Sequence, residues 1–185
     1  MEIHTPLSDE VLRSLHVGDQ VEISGVIYTA RDAAHRRMTE ALAKGEAVPI
    51  PLEGNLIYYV GPTPPKEGQV MGSAGPTTSM RMDGFWEALL PHGLRATIGK
   101  GGRGPALREK MKQYGAVYFL AVGGTGALLS RHFKSAEVVA YEDLATEAIR
   151  RVVVEKFPAI VCNDVEGRDL LEEGKAKWRR PVAAG

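Results

Sequence analysis

Cysteine is nearly absent from this chain. Cys162 is the only one among 185 residues, which excludes an internal disulfide and means that the chain alone cannot supply the thiolates of an iron–sulfur cluster. The absence of disulfides predicts a cytoplasmic location. Cys162 falls in a predicted strand without a neighbouring histidine, which favours a buried structural thiol over a nucleophile.

An excess of charge of one sign is also missing. Lys plus Arg and Asp plus Glu each number 23, so the formal net charge is zero. The chain therefore lacks both the basic field that attracts nucleic acid and a polybasic anchor for a membrane. No apolar run approaches the ~20 residues that span a bilayer, and the first residues lack the basic and apolar regions of a signal peptide. We expect neither a nucleic-acid nor a membrane partner.

What is present is an alternation of strand and helix patterns. Hydrophobic residues make up 44% of the chain and charged residues 25%, as in an ordinary globular domain. The alternation predicts an α/β fold with a mixed, partly parallel sheet flanked by helices. We expect one domain over residues 1–170 and a charged C-terminal tail over residues 171–185. From Gly167 on, the sequence is charged and weakly patterned, and we expect it to fray.

Hydrophobic periodicity and turn residues place the individual elements. The predicted strands cover residues 21–28, 55–60, 94–98, 116–122, 138–141, 152–154 and 159–162. The predicted helices cover residues 8–15, 33–45, 79–90, 107–114, 126–132 and 144–149. Ser8 is the predicted cap of the first helix, Thr29 or Asp32 of the second, and Thr78 or Ser79 of the third. Gly25 is a predicted bulge within the first strand.

Two stretches carry an unusual density of groups that bind anions. Thr77, Thr78 and Ser79 are three successive hydroxyls followed by Arg81, and Lys100 lies in the glycine-rich turn of residues 97–103. Hydroxyls and helix-start N–H groups donate to oxyanions, arginine grips a carboxylate with a planar fork, and lysine adds a point charge. A capped helix start followed by an ordinary turn explains the same residues equally well.

Arg31 is a further candidate, because it falls at a predicted strand-to-helix turn, where binding residues of α/β folds are often placed. His35 lies one helical turn later on the same face. Read in isolation, Arg31 is interpreted as a surface arginine and His35 as a partly buried polar residue.

Several familiar motifs fail on inspection. Residues 93–100 depart from a phosphate-binding loop, because Lys100 is followed by glycine and the first spacing is wrong. Residues 124–129 lack the third glycine of a dinucleotide turn. The five histidines are scattered and show no metal-ligand spacing.

The two anion-binding stretches, GPTTSMRMD at 75–83 and IGKG at 98–101, resemble the signature of the β subunit of class I, iron–sulfur-dependent fumarate hydratase. This family includes L(+)-tartrate dehydratase β subunits. Further matches are TARDAAH at 29–35, YGAVY at 114–118, AVGG at 121–124, AYEDL at 140–144, TEAI at 146–149 and FPAI at 157–160. The resemblance covers about residues 5–170. Two positions depart from the pattern: Gly102 stands where a polar residue is expected, and Gly84 where proline is common.

The resemblance implies a swivelling β/β/α domain of the C-terminal-domain type. It also implies a partner, a cluster-bearing α subunit in an α2β2 assembly, whose [4Fe–4S] cluster is ligated by that partner and not by this chain. The implied reaction is the reversible dehydration of a 2-hydroxy dicarboxylate, with malate to fumarate as the first choice. By match to the family motif, Thr77 is the catalytic base, and Arg31, Arg81 and Lys100 bind the substrate carboxylates.

Three alternatives stay open at the level of sequence. The chain can be an L(+)-tartrate dehydratase β subunit, a non-catalytic domain that binds a dicarboxylate, or an isomerase or lyase that works alone.

Overall fold

Seven strands form one mixed sheet in the computed structural model, which describes residues 1–180. The strands are β1 (Glu2–His4), β2 (Gln20–Thr29), β3 (Leu56–Tyr58), β4 (Ala96–Gly99), β5 (Val117–Leu120), β6 (Phe133–Ala140) and β7 (Ile149–Asn163). Neighbours from β1 to β5 run parallel, whereas β7 is antiparallel to β2, β5 and β6. Because β7 pairs with both β2 and β5, these strands close into a ring with β3 and β4.

Six α-helices connect and flank the described strands. They are α1 (Asp9–Ser14), α2 (Asp32–Ala43), α3 (Asp83–Leu89), α4 (Pro105–Tyr114), α5 (Gly126–Leu129) and α6 (Leu170–Trp178). Short 3₁₀ helices cover Ser79–Met82, Leu90–His92, Ser130–His132 and Glu142–Glu147. Within residues 1–180, no helix combines the length and the apolar character needed to cross a membrane.

Alternating side chains of the strands serve two separate apolar cores. On β3, Leu56 and Tyr58 belong to a cluster that also contains Phe119 and Phe157 from β5 and β7. The intervening Ile57 and Tyr59 belong to the other cluster, where they meet side chains of α2, α3 and α4, namely Met38, Trp86 and Met111. The ring therefore has apolar side chains on both faces, as buried parallel strands require.

The predicted α/β architecture with a mixed sheet and flanking helices is confirmed, and so are two local predictions. The Ser8 hydroxyl accepts a hydrogen bond from the Val11 N–H at 3.2 Å and caps α1. The register between β2 and β7 shifts at Gly25, as expected for a bulge. The predicted caps of α2 are wrong, because Arg31 is its N-cap residue and its side chain makes no capping hydrogen bond.

The prediction of two separate final strands is also wrong, because β7 runs without interruption through residues 155–158. Charged residues and Pro158 suggest a break there. The structure accommodates them in an irregularity at Lys156, whose φ is 50° and whose N–H donates to the Ser24 hydroxyl at 3.0 Å.

The predicted tail is ordered where the structure describes it. Asp169 caps α6, with its carboxylate accepting from the N–H groups of Leu171 and Glu172 at 2.8 and 3.0 Å. The rest of the predicted tail, residues 181–185, lies outside the described part of the chain.

Candidate functional site

The sequence-predicted site residues lie at the carboxyl ends of the parallel strands. Arg31 comes two residues after β2, and Lys100 directly follows β4. The carboxyl end of β3 leads to Val60, which forms a β-bridge with Pro76, one residue before Thr77. Loops at the ends of strands are where a rigid scaffold commonly carries its binding residues, so the fold places the candidates where such a site is expected.

Arg31 and Arg81 reach the same carboxylate from two different elements. Arg31 Nε donates to Asp32 Oδ2 at 3.1 Å, and Arg81 Nη2 lies 2.7 Å from Asp32 Oδ1. The Glu147 carboxylate lies 3.6 Å from Arg31 Nε and accepts from the Ala33 N–H at 2.8 Å. Arg31 and Arg81 therefore converge on the Asp32 carboxylate. Arg81 reaches it from the 3₁₀ helix Ser79–Met82.

The ionisation of Asp32 is favoured by this arrangement. Burial works against the charged form, but hydrogen bonds from its own backbone N–H and from Arg31, together with the charges of both arginines, outweigh it. The net effect holds the pKa of the Asp32 carboxyl below its usual range. The side chains of Arg31 and Arg81 are 26% and 52% exposed, so neither is closed off from solvent.

Thr77 and Lys100 are joined through their backbones. The Lys100 N–H donates to the Thr77 carbonyl at 3.0 Å, and the Ser79 N–H donates to the Lys100 carbonyl at 2.9 Å. The Thr77 N–H donates to the Tyr59 carbonyl at 2.7 Å, which continues the ladder onto the end of β3. The loop that contains Thr77 therefore extends the sheet edge instead of projecting from it.

Glycines allow the close approach of these segments. A Cβ added to Gly61 would lie 3.2 Å from both Cδ and Nη1 of Arg31, and one added to Gly99 would collide with the Ser79 hydroxyl. A Cβ on Gly123, which follows β5, would lie 3.5 Å from Lys100 Cδ. Arg31 thus packs against the end of β3, and Lys100 packs against the end of β5. All four predicted site residues belong to this one edge.

His35 is completely buried beneath Arg31. It is therefore more buried than the partly buried polar residue that the sequence predicts. Its Nδ1 lies 3.0 Å from the Arg31 carbonyl, which also accepts the His35 backbone N–H at 2.9 Å. Because a carbonyl only accepts, Nδ1 carries the proton, and Nε2 has no partner among the described residues. Burial lowers the pKa of His35 to about 4, so the ring is neutral and restrains the backbone of Arg31.

Cys162 does not offer a metal ligand. The thiol belongs to the apolar cluster beneath the helices, and burial raises the pKa of Cys162 to about 12. Among residues 1–180, no group of three or more His, Cys, Asp or Glu side chains is arranged to hold a metal ion. The described residues therefore do not supply a ligand set for an iron–sulfur cluster.

Arg103 is the site-adjacent residue that the sequence did not reveal. Its side chain has no exposed surface, yet it follows two glycines in a turn, where a solvated arginine is the ordinary expectation. Its guanidinium carbon lies 4.4 to 5.0 Å from the ring centres of Tyr59, Trp86 and Tyr118. A lone arginine in front of Gly104–Pro105 is a weak signal, because its three aromatic neighbours come from separate parts of the chain.

Comparison with known proteins identifies the class. The family model described as Fumarase C-terminus matches residues 1–174, so the chain belongs to that family. It is similar to the class I aerobic fumarate hydratase of Salmonella typhimurium, with 34% identity over 94% of this chain and 30% of that protein. Fumarate hydratase 1, mitochondrial, of Leishmania major is 36% identical over 89% of this chain and 31% of its own length.

A shorter relative matches almost from end to end. The putative L(+)-tartrate dehydratase subunit beta of Methanocaldococcus jannaschii is 37% identical over 92% of this chain and 91% of its own length. The chain thus spans about a third of the fumarate hydratases that it matches, and it corresponds in extent to a protein named as a subunit.

Proposed function

We propose that this chain is the β subunit of a hydro-lyase that reversibly dehydrates a 2-hydroxy dicarboxylate, with malate to fumarate as the first choice. Relatives named fumarate hydratase and tartrate dehydratase support the reaction class. The observation that carries the proposal is the meeting of Arg31 and Arg81 at the carboxylate of Asp32 on the carboxyl edge of the sheet.

In this proposal the three cationic side chains hold the two carboxylates of the substrate. Arg31 and Arg81 bind through the faces of their guanidinium groups that Asp32 leaves open, and Lys100 contributes a point charge from the adjacent turn. Holding both carboxylates fixes the hydroxyl and the neighbouring C–H bond relative to the protein. Such fixing removes much of the entropic barrier of the reaction.

Thr77 is the proposed base that takes the proton from the carbon next to the hydroxyl-bearing carbon. A hydroxyl is a weak base, so its alkoxide has to be stabilised by neighbouring charge. Arg81 lies four residues further along the same segment, and the Lys100 N–H donates to the Thr77 carbonyl. These two cations are the groups of this chain that we assign to that task.

The hydroxyl leaves as water in this proposal with help from outside the chain. A [4Fe–4S] cluster held by a separate α subunit, in an α2β2 assembly, would supply an iron with an open position as a Lewis acid. The match in extent to a protein named as a β subunit supports the existence of a partner. The single buried cysteine supports the cytoplasm as the compartment of the assembly.

L(+)-tartrate is the second candidate substrate, because the relative that matches almost end to end bears that name. Malate and tartrate differ only by a second hydroxyl, and both present the two carboxylates that the arginines and Lys100 would bind. The two candidates therefore share every assignment made above.

The test is to co-express this chain with its cluster-bearing partner, reconstitute the cluster without oxygen, and assay malate, fumarate and tartrate. Arg81→Lys should lose most of the turnover with the cluster spectrum unchanged, because a point charge replaces a bidentate fork. Arg95→Lys is the matched control, since Arg95 pairs with Asp9 at the start of β4, at the opposite end of the parallel strands.

Other outcomes would support an alternative function or refute the assignment of Arg81. Turnover by the isolated chain without iron would indicate a lyase or isomerase that works alone. Binding of dicarboxylates without turnover in the reconstituted pair would indicate a non-catalytic binding domain. Wild-type rates in Arg81→Lys would refute the assignment of Arg81 to the substrate.

A further inference from the structure

Arg103 uses both terminal nitrogens of its guanidinium group within a fully enclosed pocket. Nη1 donates to the Ser79 carbonyl at 2.8 Å and to Asp83 Oδ1 at 2.9 Å. Nη2 donates to the Tyr59 hydroxyl at 2.9 Å and to the Thr97 hydroxyl at 2.8 Å. A charge without exposed surface is costly unless it is paired and hydrogen-bonded. The four acceptors meet that condition.

Two of these acceptors lie on the segment that carries Thr77 and Arg81. The Asp83 carboxylate also accepts the Gly104 N–H, through Oδ2 at 2.7 Å. One ion pair therefore holds the segment of residues 77–83 against the turn of residues 100–104. The other two acceptors lie on β4 and directly after β3, so the pair is anchored on the sheet.

A second buried link connects the same two segments. The Ser79 hydroxyl donates to the Tyr118 hydroxyl at 2.8 Å, which donates to the Gly101 carbonyl at 2.9 Å. Ser79 therefore forms hydrogen bonds through its N–H, its carbonyl and its hydroxyl. In the sequence it lies between Thr77 and Arg81, the two residues of this segment that are assigned to the substrate. Buried hydrogen-bond networks rigidify the groups that they join. Of the buried side-chain nitrogen and oxygen atoms of this network, Arg103 Nε alone has no partner among the described residues.

We propose that Arg103 is a positioning residue that fixes Thr77 and Arg81 relative to Lys100 without touching the substrate. The inference rests on the proposed function for the identity of the site, but the geometry of the clamp is independent of it. Arginine is required because only its planar fork presents two nitrogens to four acceptors at once, whereas lysine offers a single nitrogen.

The test compares Arg103→Lys and Arg103→Met with Arg108→Met. Arg108 is the control because it is a neighbouring, partly buried arginine on α4, and its partner is Asp169 at 3.2 Å, outside both segments. Asp83→Asn is the second probe of the clamp. It keeps the volume of the side chain and removes the charge that holds Arg103, so the test survives if Arg103→Met does not fold.

The first measurement is hydrogen exchange of the full-length chain by itself. We expect the N–H groups of Ser79, Lys100 and Gly104 to exchange at least tenfold faster in Arg103→Lys and Asp83→Asn, while those in the middle of β2 and β7 keep their wild-type rates. Arg108→Met should leave all of these rates unchanged. Uniformly faster exchange across the domain would overturn the inference, because it would show that Arg103 contributes only global stability.

The second measurement is steady-state kinetics of the reconstituted pair. A displacement of about 1 Å at a reacting group costs on the order of 100-fold, so we expect kcat to fall by about that factor in Arg103→Met and less in Arg103→Lys. Arg108→Met should stay within about twofold of wild type. Wild-type kcat in Arg103→Met would overturn the inference. An inactive wild-type pair with locally faster exchange in the variants would overturn the proposed function and leave the clamp standing.

Discussion

Replacing His35 by glutamine should make the free energy of unfolding depend less on pH below neutrality. The pKa of His35 is 6.5 in an exposed reference and about 4 in the fold, where burial disfavours the charged ring. Between these values the unfolded chain binds a proton that the folded chain does not. Stability therefore falls as the pH drops through this window, and the loss is complete below pH 4.

The size of the effect follows from the same two pKa values. At 1.36 kcal/mol for each factor of ten in proton affinity, the gap corresponds to about 3 kcal/mol in full. Between pH 7 and pH 5 the expected loss in the free energy of unfolding is about 2 kcal/mol. This is a sizeable part of the 5–15 kcal/mol that typical domains have.

The assay is urea unfolding of the full-length chain at several pH values from 7 to 5. Between pH 7 and pH 5 the free energy of unfolding should fall by about 2 kcal/mol more in wild type than in His35→Gln. This holds whatever the difference in stability between the two proteins at pH 7. His16→Gln is the matched control, because it removes an exposed histidine instead of the buried one. Equal slopes for wild type and His35→Gln would refute the assignment of a buried neutral ring.

Three further predictions concern the edge and the buried residues around it. Asp32→Asn should lower kcat/KM of the reconstituted pair by about tenfold, since charged hydrogen bonds are worth ~1.5–3 kcal/mol and both arginines lose their common carboxylate; unchanged kinetics would contradict this role. Gly99→Ala should destabilise the fold by about 1–3 kcal/mol in urea unfolding, because the added Cβ collides with a buried hydroxyl. Gly174→Ala, within α6 and with open space around it, should instead be neutral or stabilising. Cys162 should resist a thiol reagent in the native chain at pH 8 and react fully in urea, since its pKa is raised to about 12; rapid native labelling would contradict its burial.

Local signals in the sequence account for most of the fold. The Ser8 cap and the Gly25 bulge depend on residues close in the chain, and both predictions are confirmed. The continuity of β7 was missed because it depends on a tertiary contact. The irregular residue Lys156 finds its hydrogen-bond acceptor on Ser24, more than a hundred positions away, and nothing near Pro158 in the sequence announces it.

The candidate site also has some features that the local sequence predicts and others that depend on tertiary contacts. Glycines and hydroxyls around Thr77 and Lys100 predict from composition either an anion-binding turn or a capped helix start, whereas the position of Arg31 is informative only because it follows the end of a strand. The sequence around Arg103 shows only the unusual glycine at position 102. Its role is set by Asp83 and by aromatic residues that only the folded sheet assembles around it.

The balance of charge at the edge bears on whether this chain can act by itself. Arg31 and Arg81 are already paired with Asp32, and Arg31 also lies near Glu147. Lys100 forms no ion pair with any residue from 1 to 180. Three cations against two carboxylates leave a formal charge of one, so a doubly charged substrate would be only half neutralised. Under the proposed function, a positive centre supplied from outside the chain would complete the balance, as expected for a site shared with a partner subunit.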